Sequence, residues 1–250
     1  MIQATQRVYG SLDCIVVDGG DAPDIGVVIC HGYGAPGDNM VDLAGAWIPL
    51  LGNDASRFRF VFPAAPLSLA EYGIPDGLAW WPLNTALLMQ AVQANTFEEL
   101  HTEEPPGIVQ VRETLCESIN AAKEDLNGES TPLILGGFSQ GAMLTMEASL
   151  RGLITPPKLL LQFSGTVVCE KQWEAAMGRL SQTKVYQSHG QVDPILPFSS
   201  AERLHNLLVQ GEVDATFTRF MGPHTIDGVA IRESAQVIQG VAASLSSGAS

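Results

Sequence analysis

Cysteine is scarce in this chain. Four occur in 250 residues, at Cys14, Cys30, Cys116 and Cys169. None form a C-x-x-C pair, so the chain offers no zinc knuckle or dithiol redox motif. Their neighbours are apolar or fall on a helical pattern, which predicts buried, reduced thiols. Charge is sparse as well. Asp, Glu, Lys and Arg make up 16% of the residues, against about a quarter in an average soluble protein. Only 13 of these side chains are basic and 27 are acidic, for a formal net charge of −14. No basic run offers a track for a phosphate backbone, and so acidic a surface repels nucleic acid and anionic headgroups. No apolar run reaches the roughly 18 residues of a membrane helix, so no integral membrane association is expected. The opening MIQATQRVYG lacks a basic segment followed by an apolar one, so no secretory leader is expected and a cytoplasmic home fits best. Repeats and low-complexity blocks are missing too.

What is present is apolar material, 46% of the chain, enough for one sizeable core. Short β-branched or apolar runs alternate with helical patterns. The expected strands are Leu12–Val17, Gly26–Cys30, Phe58–Phe62, Leu133–Gly137, Leu159–Phe163, Lys184–Ser188 and Ala215–Phe220. Several are apolar nearly throughout, as strands covered on both faces are. Ile108, Val111, Leu115, Ile119, Ala122 and Leu126 recur at helical steps. So do Phe198, Ala201, Leu204 and Leu208, with Pro197 suited to a first turn. A helix over Ala142–Leu150 should stop near Gly152, and a last one should cover about 227–245. The pattern predicts an α/β fold over residues 1–250, with a mainly parallel central sheet and helices on both faces. Residues 64–107 break the alternation with prolines, the Trp80–Trp81 pair and an apolar stretch, Leu83–Val92. So long a connection is a lid-like insert or carries small elements of its own. The tail, 246–250, should be mobile.

Gly137-Phe-Ser139-Gln-Gly141 sits where a strand gives way to a helix. That is the setting of a nucleophile elbow, where a sharp turn lifts the serine out of the sheet. Side chains two positions to either side would collide, hence the glycines. A serine needs a base, and the base needs a carboxylate to orient it. Of the five histidines, His101 lies in an acidic stretch and reads as solvated, and His205 lies within an amphipathic helix. His31 and His189 each end an expected strand. In the order nucleophile, acid, base, only His224 lies on the loop after the last strand. The acid belongs on the loop before, where Asp193 stands. Glu170 follows the wrong strand, Asp214 opens the last strand at its far end, and Asp227 is too close to His224. Backbone N–H groups of Gln140, and of Tyr33 in the glycine-rich HGYGAPG, are the expected oxyanion donors. That loop lacks the G-K-[ST] ending of a phosphate loop.

Four segments, HGYGAPGDN, GGFSQGAML, HGQVDPILP and GPHTI, resemble in order the phospholipase/carboxylesterase family of the α/β-hydrolase superfamily, which includes the acyl-protein thioesterases. Ala79-Trp80-Trp81 is similar to that family's Trp-containing lid segment. Pro223 and Ala142 depart from it, standing where the family often has glycine. The resemblance implies a serine carboxylesterase or acyl thioesterase acting on short to medium acyl chains. It implies a triad at Ser139, Asp193 and His224, oxyanion donors at Tyr33 and Gln140, and no cofactor or metal. Trp81, Leu83, Leu87 and Leu88 would then line an acyl pocket, though core or a homodimer surface explains them equally well. A lysophospholipase with the same triad and a catalytically inactive binding module are the other readings.

Overall fold

A computed structural model describes residues 4–247. A hairpin of β1 (Ala4–Tyr9) and β2 (Leu12–Asp18) opens the chain, followed by β3 (Ile25–Cys30), α1 (Asp42–Leu51) and β4 (Phe58–Pro63). The 64–107 segment carries two-residue strands β5 (Leu67–Ser68) and β6 (Leu78–Ala79), then α2 (Thr85–Ala94). After it come α3 (Ile108–Glu124), β7 (Leu133–Phe138), α4 (Gln140–Arg151), β8 (Leu159–Phe163), α5 (Glu170–Ala176) and β9 (Lys184–Gly190). The chain closes with α6 (Phe198–Gln210), β10 (Asp214–Phe220) and α7 (Gly228–Ser247). Every strand expected from the sequence is present. Of the tail expected to be mobile, Ser246 and Ser247 belong to α7, and 248–250 lie outside the described residues.

The main sheet has eight strands in the order β1-β2-β4-β3-β7-β8-β9-β10. The pairs β1–β2 and β2–β4 are antiparallel; from β4 across to β10 neighbours run parallel. Alternation explains the apolar strands. Val27 and Ile29 face one core, Val28 and Cys30 the other; Leu159 and Leu161 face the first, Leu160 the second. The first core is closed by α1 and α7 and the second by α3, α4 and α6. Burying each such Leu, Ile or Phe is worth about 1.5–3 kcal/mol, which fixes strand parity at every position. Trp47 of α1 is fully buried and its indole N–H donates to Ser234 of α7 at 2.9 Å, joining those two helices.

The second core anchors the helix behind the elbow. Glu147 of α4 is fully buried and accepts from Arg112 of α3 (2.7 Å), from Arg151 (2.9 Å) and from the Trp173 indole of α5 (2.7 Å). So many donors offset the desolvation of one carboxylate. α4 stops at Gly152, but not through a left-handed cap. Gly152 is extended, and a Cβ there would lie 2.4 Å from the Ala148 carbonyl and 2.5 Å from Cys116 Sγ. The glycine is required by close packing against α3. All four cysteines are free and buried. No helix among the described residues is long and apolar enough to cross a membrane.

Candidate active site

The carboxyl ends of parallel strands gather the residues singled out above: Tyr33 follows β3, Ser139 follows β7, Asp193 follows β9 and His224 follows β10. In an open α/β sheet that rim is where ligands bind. Ser139 takes φ 55° and ψ −119°, a strained backbone for any residue but glycine. Its N–H donates to the Phe163 carbonyl at 2.9 Å, pinning the turn to β8. The flanking glycines are steric requirements. A Cβ at Gly137 would come within 2.4 Å of the Gly141 backbone, and one at Gly141 within 2.3 Å of the Cys30 carbonyl.

His224 Nδ1 lies 2.6 Å from Asp193 Oδ2 and donates to it. The other carboxylate oxygen, Oδ1, accepts the N–H groups of Ile195 (2.8 Å) and Leu196 (2.9 Å). Asp193 thus builds an Asx-type turn with one oxygen and orients the imidazole with the other. Burial would raise its pKa. Hydrogen bonds from His189 and His224, the charge of His224 and the Leu196 N–H outweigh that and hold the carboxyl well below the usual range. The competing acids are occupied elsewhere. Glu170 pairs with Arg203, and Asp227 accepts from the Ala230 N–H at 2.7 Å, starting α7. Asp214 is exposed at the opposite end of β10.

Gly190 makes the contact between Asp193 and His224 possible. A Cβ there would fall 2.2 Å from the Gly222 carbonyl and 2.4 Å from that of Pro223. Only a bare backbone lets the His224 loop cross so near the end of β9. The Phe138 ring packs on the imidazole, with centroids 4.7 Å apart. The imidazole and Ser139 line the same cavity, and among the described residues the Ser139 hydroxyl forms no hydrogen bond with it.

Tyr33 and Gln140 border that cavity beside Ser139. The next N–H in the Tyr33 loop, that of Gly34, is taken by the Leu78 carbonyl at 2.8 Å. No backbone carbonyl among the described residues accepts from Tyr33 or Gln140. The Gln140 N–H also opens α4, where the helix has no internal acceptor for it. The buried Gln140 side chain accepts from the Trp80 N–H (2.9 Å) and donates to the Trp81 carbonyl (2.9 Å). It therefore fixes the Trp pair to the elbow. The Trp80 indole donates to the His31 carbonyl at 2.8 Å. His31 is a buried strut, its Nδ1 on the Gly32 carbonyl (2.8 Å) and its Nε2 accepting the Ala65 N–H (3.0 Å).

The cavity holds about 530 Å³ and is mostly apolar. Trp81, Leu83, Leu87 and Leu88 all line it, as do Met143 and Val168. Leu87 is 46% exposed, so α2 closes the cavity only in part. One expectation is corrected. His101 is not solvated: it is buried on the short turn Phe97–Thr102, with Nε2 2.9 Å from Ser200 Oγ. Phe97, four residues earlier, is buried beside it. Burial lowers the His101 pKa. His205 packs on Phe217, as an amphipathic-helix residue would.

A family model described as phospholipase/carboxylesterase matches residues 12–241. The chain belongs to the phospholipase/carboxylesterase family. Among curated relatives, acyl-protein thioesterase 1 of Eremothecium gossypii is 29% identical over 183 residues, covering 71% of this chain and 70% of its own. That of Candida albicans is 26% identical over 202 residues, covering 76% and 80%. Among solved structures, esterase PE8 superposes with a TM-score of 0.72 at 24% identity, covering 96% of this chain and 98% of that one. Acyl-protein thioesterase 2 of Zea mays gives 0.57 at 18%, covering 91% and 97%. At such identities the two structures speak for the fold alone.

Proposed function

We propose that the chain hydrolyses carboxylic esters or thioesters through an acyl-enzyme formed on Ser139. Family membership carries the reaction class. The observation that carries the residue roles is the 2.6 Å bond from His224 Nδ1 to a buried Asp193 carboxylate, at a cavity that Ser139 also lines. With Nδ1–H held by Asp193, Nε2 is left as the base. In the substrate complex the Ser139 hydroxyl must come within hydrogen-bond reach of Nε2, a contact that is often loose in substrate-free sites. Nε2 takes the hydroxyl proton as Oγ attacks the acyl carbon. The oxyanion accepts from the N–H groups of Tyr33 and Gln140 at the positive end of α4. His224 then protonates the departing alcohol or thiol. Water, deprotonated by the same imidazole, releases the acid.

The substrate is a small acyl ester or thioester whose apolar chain lies against Trp81, Leu83, Leu87 and Leu88. The relatives named acyl-protein thioesterases make thioesters the second class to assay. The four free, buried thiols are those of a protein kept in a reducing compartment such as the cytoplasm.

A fluorophosphonate probe tests this reading directly, because only an activated serine reacts. Intact-mass and peptide analysis should find one adduct, on the peptide bearing Ser139. A chain left unlabelled, or labelled elsewhere, overturns it. The acyl wall is tested separately. Leu87→Ala should reduce kcat/KM for medium-chain p-nitrophenyl esters about fivefold relative to the acetate, the share of one half-exposed leucine. An unchanged chain-length profile assigns Leu87 to the surface instead.

A further inference from the structure

We propose that His189 is a positioning residue that locks the Asp193 loop and the Asp193 carboxylate for catalysis; this rests on the roles given to Ser139, Asp193 and His224. His189 closes β9 and is fully buried. Its Nε2 lies 2.9 Å from the Leu196 carbonyl oxygen and 3.2 Å from Asp193 Oδ2. A carbonyl only accepts, so Nε2 carries the hydrogen. The bond runs to Leu196, and the carboxylate oxygen stands beside the same N–H. Nδ1 is buried and has no hydrogen-bond partner among the described residues. The hydrogen-bonding edge of the ring is therefore Nε2, the one that faces Leu196 and Asp193.

Two consequences follow for Asp193. The first is geometric. His189 precedes the loop and Leu196 ends it, so their bond clasps the segment that carries Asp193. The Leu196 N–H donates to Oδ1, so the peptide group clasped by His189 lies next to one that holds the carboxylate. The second is electrostatic. Oδ2 faces N–H groups from two sides, His224 Nδ1 at 2.6 Å and His189 Nε2 at 3.2 Å. A buried carboxylate keeps its charge only when such donors surround it. A hydrocarbon of similar volume would fill the space without leaving an unpaired nitrogen. The polar ring is what the carboxylate uses.

His189→Gln can return an N–H near the Nε2 position, whereas His189→Asn is too short and His189→Met has no donor. The test is p-nitrophenyl acetate turnover by these three full-length variants, with near-ultraviolet circular dichroism as the folding check. His189→Met and His189→Asn should lose about 10- to 100-fold in kcat with KM within about threefold. His189→Gln should recover to within about threefold of the parent. If His189→Met does not fold, the Gln–Asn comparison alone decides. Equal kcat in those two variants, or kcat near the parent in any donorless folded variant, refutes the positioning role. Ser139→Ala in the same assay keeps the two ideas apart: residual activity there undermines the nucleophile, not His189.

Discussion

Ser139→Ala should lower kcat for p-nitrophenyl esters by at least about 10⁴-fold, with the fold intact. The expectation follows from the elbow. Ser139 is held at φ 55° by Gly137, Gly141 and the 2.9 Å bond from its own N–H to the Phe163 carbonyl. None of these uses the hydroxyl. Alanine therefore inherits the same backbone, and the oxyanion donors and cavity wall remain. Only the attacking atom is lost, and with it the covalent route. Residual turnover would come from water activated by His224 beside the oxyanion donors. Ser139→Gly sharpens the test. Glycine tolerates positive φ, so this variant should be equally inactive yet more stable, by up to about 1 kcal/mol less its own entropic penalty. Thermal midpoints and turnover of the two variants provide the check. More than a few per cent of parental activity in either would falsify the assignment of Ser139.

The inner strands were readable because β3, β4, β7 and β8 are buried and largely apolar on both faces, which leaves a short apolar run in the sequence. β1 was not. Ala4-Thr-Gln-Arg-Val-Tyr9 is an edge strand exposed over most of its length, and no core asks its residues to be apolar. That Ser139, Asp193 and His224 follow strands β7, β9 and β10 was legible from the runs that precede them. What kept the rest hidden was distance along the chain. Nothing near Gly190 says that Gly222 and Pro223 will pass within contact of it. His189 ends an inner strand, so chain order alone gives it no part at the site. The acidic neighbours of His101 predict solvation, whereas it is buried beside Ser200, 99 residues away. The sequence did hold one cue, Phe97 and His101 one turn apart.

Asp193→Asn should be at least as damaging as Asp193→Ala, although it is the smaller change in shape. Oδ1 accepts two backbone N–H groups, at 2.8 and 2.9 Å. An asparagine amide must place its oxygen there, because its NH2 cannot accept. The NH2 then occupies the Oδ2 position and meets Nδ1 of His224, which it can satisfy only if Nδ1 is unprotonated. The proton moves to Nε2, and the imidazole that should accept from Ser139 becomes a donor. The same NH2 also faces the N–H of His189, where Oδ2 now stands 3.2 Å away, so donor meets donor. Flipping the amide relieves that clash but turns the NH2 toward the Ile195 and Leu196 N–H groups, two conflicts in place of one. Each buried mismatch costs about 1–3 kcal/mol, so the wrong tautomer is the lower-energy arrangement. The expected loss in kcat is about 10³- to 10⁴-fold, with KM little changed. Alanine imposes no tautomer and leaves room for water to receive the His224 N–H. If Asp193→Asn proves tenfold more active than Asp193→Ala, the carboxylate is not setting the tautomer of His224, and its part in the reaction must be sought in the loop it shapes.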